Sequence, residues 1–177
     1  MSEKKANITK NKSKFSLIDI INTSIFTIAF IIQIIMMFII YNSLGLTFLV
    51  YIGYVMWGFS IYFGLISFWT FKKRGGVEKG KSYINTTKLV KEGPYAIIRH
   101  PQYLGGILFT ISITLWTQVW LSLVLTILII FLTYHWTYSE DKSLIGKFGD
   151  DYKMYIAKVP RLNPILGIIK YFSQKTK

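Results

Sequence analysis

The chain has 177 residues, 52% of them hydrophobic and 17% aromatic, with a net charge of +13 and no cysteine. The absence of cysteine excludes disulfides, thiolate metal sites and a cysteine nucleophile. With two histidines, His100 and His135, a zinc site would need unusual ligands, and no metal is predicted. The composition is too apolar for an ordinary soluble domain, and the apolar residues form long runs, which predicts a membrane protein.

The first 71 residues divide into a basic tail and two apolar spans. Residues 1–14 carry five lysines against one glutamate and are predicted to be disordered. The next apolar run is longer than the core of a signal peptide and lacks a small-residue cleavage site, so we interpret it as an uncleaved membrane helix. Spans are predicted at residues 15–41 and 46–71, each longer than the roughly 20 residues needed to cross a bilayer.

The third region, residues 72–177, begins with a charged loop at 72–92 that contains Gly75-Gly76. No phosphate-loop pattern is present and no strand precedes these glycines, which favours a solvated loop beside the membrane over a phosphate site. Two further apolar segments, 101–116 and 119–138, are separated by so few residues that they predict an antiparallel helical hairpin over 101–138.

The stretch between this loop and the hairpin, residues 93–103, reads Gly-Pro-Tyr-Ala-Ile-Ile-Arg-His-Pro-Gln-Tyr. Pro94 favours a turn, and Pro101 suits the first turn of a helix, where its missing N–H is no loss. The free N–H groups of that turn could hold a polar or anionic ligand. A capped helix start with interfacial aromatic residues explains the pattern equally well.

Polarity returns after the hairpin, at Glu140-Asp141. Two acids at a helix C-terminus are unfavourable with the helix dipole, which predicts a cationic partner: Arg99, Arg161 or a cationic ligand. The alternative is a solvated helix end. His135 is interpreted as an interfacial or packing residue rather than an intramembrane functional group.

An amphipathic helix is predicted over residues 143–159, where apolar residues recur at spacings of three and four. It would lie on the membrane or fold back over the bundle. Pro160 and Pro164 end it. A short apolar piece at 165–172 precedes a basic tail, and whether this piece re-enters the membrane is open.

The distribution of positive charge predicts the topology. Every Lys and Arg lies in residues 1–14, 72–100 or 139–177. Four spans place these three segments on one side, which the positive-inside rule assigns to the cytoplasm together with both termini. We therefore predict an all-α, polytopic membrane bundle of about four transmembrane helices with a C-terminal cytoplasmic amphipathic helix. The charge needs no nucleic-acid partner to explain it.

Several of these motifs, in this order, resemble a known family. They are Gly-Pro-Tyr-x-x-x-Arg-His-Pro-x-Tyr, a helical hairpin, two acids, Leu144, Phe148-Gly149, Tyr152, Tyr155 and Val-Pro-Arg-x-x-Pro. Over residues 85–165 this is similar to the isoprenylcysteine carboxyl methyltransferases and the related phospholipid methyltransferases. The resemblance implies an integral-membrane methyltransferase that uses S-adenosyl-L-methionine on a lipid or other lipophilic acceptor, with residues 72–177 as the catalytic region.

The resemblance also implies positions for the site. The family's cofactor residues fall on Thr87, Lys88, Leu89, Val90, Tyr95, His100, Pro101, Gln102, Tyr103 and Glu140. The prenylcysteine enzymes carry a substrate-binding arginine one helical turn before that glutamate, where this chain has Trp136. Either Arg99 or Arg161 takes that role beside Glu140 in catalysis, or the acceptor is not a prenylcysteine carboxylate.

Two alternatives of other classes stay open. One is a membrane reductase of related fold with a nicotinamide cofactor in a similar pocket. The other is a non-catalytic membrane scaffold with a degenerate pocket. Binding of adenosylmethionine would favour the methyltransferase, binding of NADPH would favour the reductase, and binding of neither would favour the scaffold. The composition, rich in Lys, Ile and Asn, indicates a bacterial or archaeal cell membrane, and the oligomeric state is open.

Overall fold

A computed structural model describes residues 17–76 and 87–175, and these residues form helices joined by short segments. The helices are α1 (Leu17–Ile39), α2 (Thr47–Arg74), a 3₁₀ turn (Gly93–Ala96), α3 (Pro101–Thr117), α4 (Trp120–Phe148), α5 (Asp150–Lys158) and α6 (Pro164–Lys175). No strand occurs in the described ranges, which confirms the all-α fold class. The predicted basic tail at 1–14 lies outside the described residues. The predicted boundary between the first two spans and a catalytic region at residues 72–177 stays a proposal.

Three helices, α1, α2 and α4, are long and apolar enough to cross a membrane. They expose large apolar side chains: Phe38, Trp69 and Trp120 are 79%, 71% and 74% exposed. Such exposure suits a lipid environment and is unusual for a helix in water. The fourth predicted span, α3, has 17 residues. The count of four spans therefore stays a prediction.

The α3 helix packs most closely against α2, at Gly105. A Cβ atom at this position would lie 3.1 Å from the carbonyl oxygen of Ser60. In a membrane, where apolar burial does not drive association, such close backbone approach is a main source of helix packing energy. It holds the first turns of α3 against the middle of α2.

Hydrogen bonds tie the two short connections at the uncharged end of the bundle. The Gln118 side chain accepts from Leu46 N at 3.1 Å and donates to Leu46 O at 2.9 Å. Deeper in the bundle, Gln33 of α1 donates to Thr126 Oγ1 at 2.7 Å, and Thr126 also contacts Thr114 of α3 at 2.8 Å. These interhelical bonds join α1, α3 and α4 where lipid offers no alternative partner.

The end of α4 differs from the prediction. The predicted span ends at residue 138 and the amphipathic helix begins at 143, whereas α4 continues unbroken to Phe148. Polar residues mark where a helix leaves the apolar layer, but they do not end the helix. The break occurs at Gly149, whose φ of +59° favours glycine. There the chain turns back, so that Tyr152 and Tyr155 of α5 are buried.

Candidate active site

A cavity of 380 Å³ lies at the basic end of the bundle, the end at which α2 and α4 finish and α3 begins. Its walls come from the segment before the 3₁₀ turn, from the ends of α2, α3 and α4, and from α5. The lining residues are Phe71, Lys88, Leu89, Val90, Tyr95, Arg99, His100, Gln102, Tyr103, Glu140, Leu144, Lys147, Phe148, Tyr152 and Tyr155.

The backbone of Arg99 and His100 is held by the segment that follows α5. Arg99 N donates to Pro160 O at 3.0 Å, and His100 N donates to Arg161 O at 3.2 Å. Pro101 then occupies the first turn of α3, as predicted. The backbone at His100 is therefore restrained on both sides, by the proline ring of Pro101 and by the hydrogen bonds to Pro160 and Arg161, which limits the directions open to the His100 side chain.

The Asp141 carboxylate joins four segments of the chain. Its Oδ1 accepts from Tyr152 Oη at 2.7 Å and lies 2.9 Å from His100 Nε2. Its Oδ2 accepts from Arg161 Nε at 2.8 Å and lies 3.2 Å from Arg99 Nη2. The Asp141 side chain is 5% exposed. Asp141 thus receives both arginines that the helix-dipole argument suggested as partners.

The neighbouring Glu140 has different surroundings. Successive helix residues point about 100° apart, and Glu140 faces the cavity while Asp141 faces the packed segments. Glu140 Oε2 lies 3.6 Å from His100 Nδ1. Among the described residues this buried oxygen has no hydrogen-bond partner. This unsatisfied Glu140 oxygen is an acceptor for a ligand in the cavity, which Lys88 and Lys147 also line.

Arg99 presents the complementary chemistry. Its side chain is 6% exposed, and Nη2 is engaged by Asp141. Its Nε and Nη1 are buried without a hydrogen-bond partner in the described part of the chain. Arg161 does not line the cavity; its guanidinium lies over the rings of Tyr134 and Tyr138, 5.0 and 5.3 Å from their centroids. Arg99 is thus the arginine that can offer donors to a ligand.

The buried tyrosines act as neutral donors. Burial raises the pKa of Tyr155 above its ordinary value, and its hydroxyl donates to Tyr95 O at 2.6 Å, fixing the 3₁₀ turn to α5. Burial also raises the pKa of Tyr152, and the Asp141 carboxylate that accepts its hydrogen bond raises it further. Neither hydroxyl is suited to act as a base at neutral pH.

Comparison with known proteins decides the family. Residues 48–151 match the model of the phospholipid methyltransferases. The chain belongs to the phospholipid methyltransferase family. The match covers nearly all of α2, then α3, α4 and the first residues of α5, so it includes Arg99, His100 and both acids but not α1 or Arg161. Family membership indicates a membrane methyltransferase. No curated protein and no solved structure matches the chain.

Most positions that the resemblance assigned to the cofactor line this one cavity: Lys88, Leu89, Val90, Tyr95, His100, Gln102, Tyr103 and Glu140. Two do not. The Thr87 hydroxyl donates to Gly76 O at 2.9 Å, and Pro101 is buried at the start of α3. The cofactor role of every one of these residues stays a prediction.

Sequence reasoning missed part of the cavity wall. Tyr152, Tyr155 and Phe148 were predicted as the apolar face of an amphipathic helix, and that face closes the cavity. The three- and four-residue periodicity indicates that these side chains share one apolar helix face, but it does not indicate which part of the protein that face packs against. Trp136 packs on Phe26 of α1, with ring centroids 4.8 Å apart, and does not line the cavity. His135 is exposed and also lies outside it.

Proposed function

We propose that the protein is an S-adenosyl-L-methionine-dependent methyltransferase that acts on the carboxylate or other head group of a lipophilic acceptor at the cytoplasmic face of the membrane. The observation that carries this proposal is the buried, unpartnered Glu140 oxygen in a cavity with aromatic and aliphatic walls. A carboxylate in such a place favours a ligand that combines a positive charge with a flat apolar group.

The residues present fit this cofactor. Its sulfonium and ammonium groups are cations that Glu140 can neutralise, and Leu89, Val90 and Phe148 provide apolar surface for the adenine. Lys88 and His100 line the same cavity and can donate to the cofactor's carboxylate. The volume of 380 Å³ lies in the range of about 300–1,000 Å³ typical of small-molecule sites.

When bound, the cofactor supplies a methyl group on a positively charged sulfur for in-line displacement by the acceptor. The contribution of the chain is alignment and exclusion of water. His100 and Tyr103 pack edge to face, with centroids 5.7 Å apart, and so restrict each other's orientation. Phe148 and the tyrosines of α5 contribute to the walls of the site and so to the exclusion of water. The proposed role of Arg99 is to hold an oxygen of the acceptor head group through Nε and Nη1, which is supported by their lack of a hydrogen-bond partner among the described residues.

The acceptor's chemistry decides whether a base is needed. A carboxylate acceptor is already a nucleophile. An amine acceptor must first lose a proton, and Glu140 and His100 are the cavity groups able to take one. The two cases differ in pH dependence: methylation of an amine should rise steeply with pH, and methylation of a carboxylate should stay flat at neutral pH.

Binding and transfer test the proposal together. Calorimetry on the full chain in lipid nanodiscs should show binding of adenosylmethionine and of its demethylated product, and no binding of NADPH. Labelled methyl should pass from adenosylmethionine to a component of a lipid extract that mass spectrometry can identify. NADPH binding instead would assign the protein to the reductases, and no binding of either cofactor would leave a scaffold.

The two histidines supply a matched pair for the same assay. His100→Ala removes a cavity wall, whereas His135→Ala removes the same side chain from an exposed position. We expect His100→Ala to weaken adenosylmethionine binding about tenfold and His135→Ala to leave it unchanged. Equal affinities in the two variants would remove His100 from the proposed cofactor site.

A further inference from the structure

A second cavity, of 420 Å³, lies between α2, the 3₁₀ turn and α6, and it shares no lining residue with the candidate active site. We call it the α2–α6 groove. Its apolar walls include Tyr62, Ile66 and Trp69 of α2 and Ile168 of α6. Lys73 and Arg74 line it at the last turn of α2. The groove thus combines apolar walls with a basic end.

The length of the groove matches one leaflet of a bilayer. Its lining positions on α2 recur every three or four residues from Tyr62 to Lys73, which places them on one face of the helix. This stretch of helix rises about 16 Å. Half of a hydrocarbon core of about 30 Å is about 15 Å. The groove therefore runs from the middle of the apolar layer to the basic end of the bundle.

The two cations of the groove are not equivalent. Arg74 forms an ion pair with Glu92. Lys73 is exposed, and no carboxylate within residues 17–76 or 87–175 pairs with it. Lys73 therefore brings an uncompensated positive charge to the end of the groove, where the head group of a lipid in that leaflet would lie.

The α6 helix closes the other side. Gly167 lies so close to the 3₁₀ segment that a Cβ there would be 2.1 Å from Ile97 O. Docked in this way, α6 exposes Ile165, Ile169 and Phe172, which are 71%, 61% and 61% exposed. An apolar face of this kind beside a lipid-facing bundle is typical of a helix at the membrane interface.

We propose that the α2–α6 groove binds one anionic phospholipid, with an acyl chain along α2 and its phosphate at Lys73, at a site separate from that of the methyl acceptor. At this depth no water is available to fill a groove, so a hydrocarbon chain is its natural occupant. The aromatic walls give that chain more contact than a flat helix surface would. The positive charge of Lys73 selects a negatively charged head group over a zwitterionic one.

Native mass spectrometry of the full chain tests the head-group part of this proposal. The protein is released from nanodiscs that contain equal amounts of phosphatidylglycerol and phosphatidylcholine, and the retained lipid is counted. We expect the wild type to retain phosphatidylglycerol preferentially, and Lys73→Gln to lower that preference about fivefold. Lys72→Gln is the matched control, because it removes the same charge one position away, outside the groove.

A second pair of variants tests the acyl-chain part. Ile168→Trp fills the groove without changing charge, whereas Ile169→Trp adds the same bulk at an exposed position on α6 that does not line it. Ile168→Trp should lose the retained lipid and Ile169→Trp should keep it. The proposal is overturned if the two lysine variants lose the lipid preference equally, or if the two tryptophan variants retain equal amounts of lipid. It is also overturned if the wild type retains the two lipids equally, which would indicate general attraction to the membrane.

The mass of the retained lipid also tests whether the groove and the methyl-acceptor site are separate. If the phosphatidylglycerol becomes methylated when adenosylmethionine is added, the groove holds the acceptor, and the proposed separation of the two sites is wrong. Lipid retention is measured without cofactor. A failure of methyl transfer therefore leaves this test intact, and a failure of lipid retention leaves the proposed function intact.

Discussion

Neutralising each of the two adjacent acids near the end of α4 should change a different property of the protein. Asp141→Asn should destabilise the folded protein, whereas Glu140→Gln should leave its stability nearly unchanged and weaken the binding of adenosylmethionine. The reason is the different surroundings of the two side chains: Asp141 is 5% exposed and Glu140 is 41% exposed. Both substitutions keep the size of the side chain and remove one negative charge.

The magnitude for Asp141 follows from its four partners. Both carboxylate oxygens accept from donors: Oδ1 faces His100 and Tyr152, and Oδ2 faces two arginines. Asparagine has one acceptor oxygen, so its amide nitrogen would confront a donor pair in either orientation. Leaving buried charge without its partner costs about 3–5 kcal/mol. We expect a loss near 3 kcal/mol, because Arg161 is 19% exposed and water can replace part of its pairing.

For Glu140→Gln we expect the main effect on the affinity for adenosylmethionine rather than on stability. A charge-assisted contact contributes about 1.5–3 kcal/mol, so Glu140→Gln should weaken adenosylmethionine binding about tenfold to a hundredfold. Its effect on unfolding should stay within about 0.5 kcal/mol. Asp151→Asn serves as the control, because it neutralises an exposed acid on α5 that does not line the cavity.

Unfolding of the purified variants, followed by loss of helical signal in denaturant without cofactor, measures the stability differences. Calorimetry with adenosylmethionine measures the binding differences. The assignment of roles is refuted if Glu140→Gln destabilises the protein as much as Asp141→Asn does, or if Asp141→Asn is neutral. Unchanged affinity in Glu140→Gln would make Glu140 a solvated helix end.

Three further predictions concern topology, packing and acceptor binding. A reporter at Ser43 should lie outside the cytoplasm, because every Lys and Arg lies in segments on the other side of four spans; a cytoplasmic signal there would refute that count. Gly167→Ala should lower the unfolding midpoint, since its Cβ would meet Ile97 O at 2.1 Å, whereas Gly58→Ala, with no atom within 4 Å, should not. Arg99→Lys should raise the acceptor KM severalfold at unchanged cofactor affinity, because lysine keeps the charge beside Asp141 but lacks the Nε and Nη1 donors; an unchanged KM would make Arg99 a structural residue.

The helices could be predicted from the sequence because long apolar runs carry most of the signal. The predicted spans at 15–41, 46–71 and 101–116 match α1, α2 and α3 to within three residues at each end. The end of α4 could not be predicted in this way, since hydropathy reports the edge of the apolar layer. The turn at Gly149 depends on a backbone conformation that the sequence permits without requiring.

The candidate site was predictable where its residues are close in sequence. Six residues between Gly93 and Tyr103 were assigned to cofactor or substrate from the sequence, and five of them line the cavity; Pro101 is the exception. The role of Asp141 was not predictable, because two adjacent acids are equivalent until the rotation of α4 is known. That rotation is set by packing against His100, Tyr152 and Arg161, which come from three distant parts of the chain.

The division of roles between the two acids also explains how Glu140 can remain available to a ligand. Two arginines lie near the end of α4, and either could have neutralised Glu140. Both instead pair with Asp141, which does not itself line the cavity. Within residues 17–76 and 87–175, His100 Nδ1 lies 3.6 Å from Glu140, and His100 already contacts Asp141 through its other ring nitrogen. We expect that Asp141, by engaging the two arginines, leaves the charge of Glu140 for the cationic cofactor proposed above.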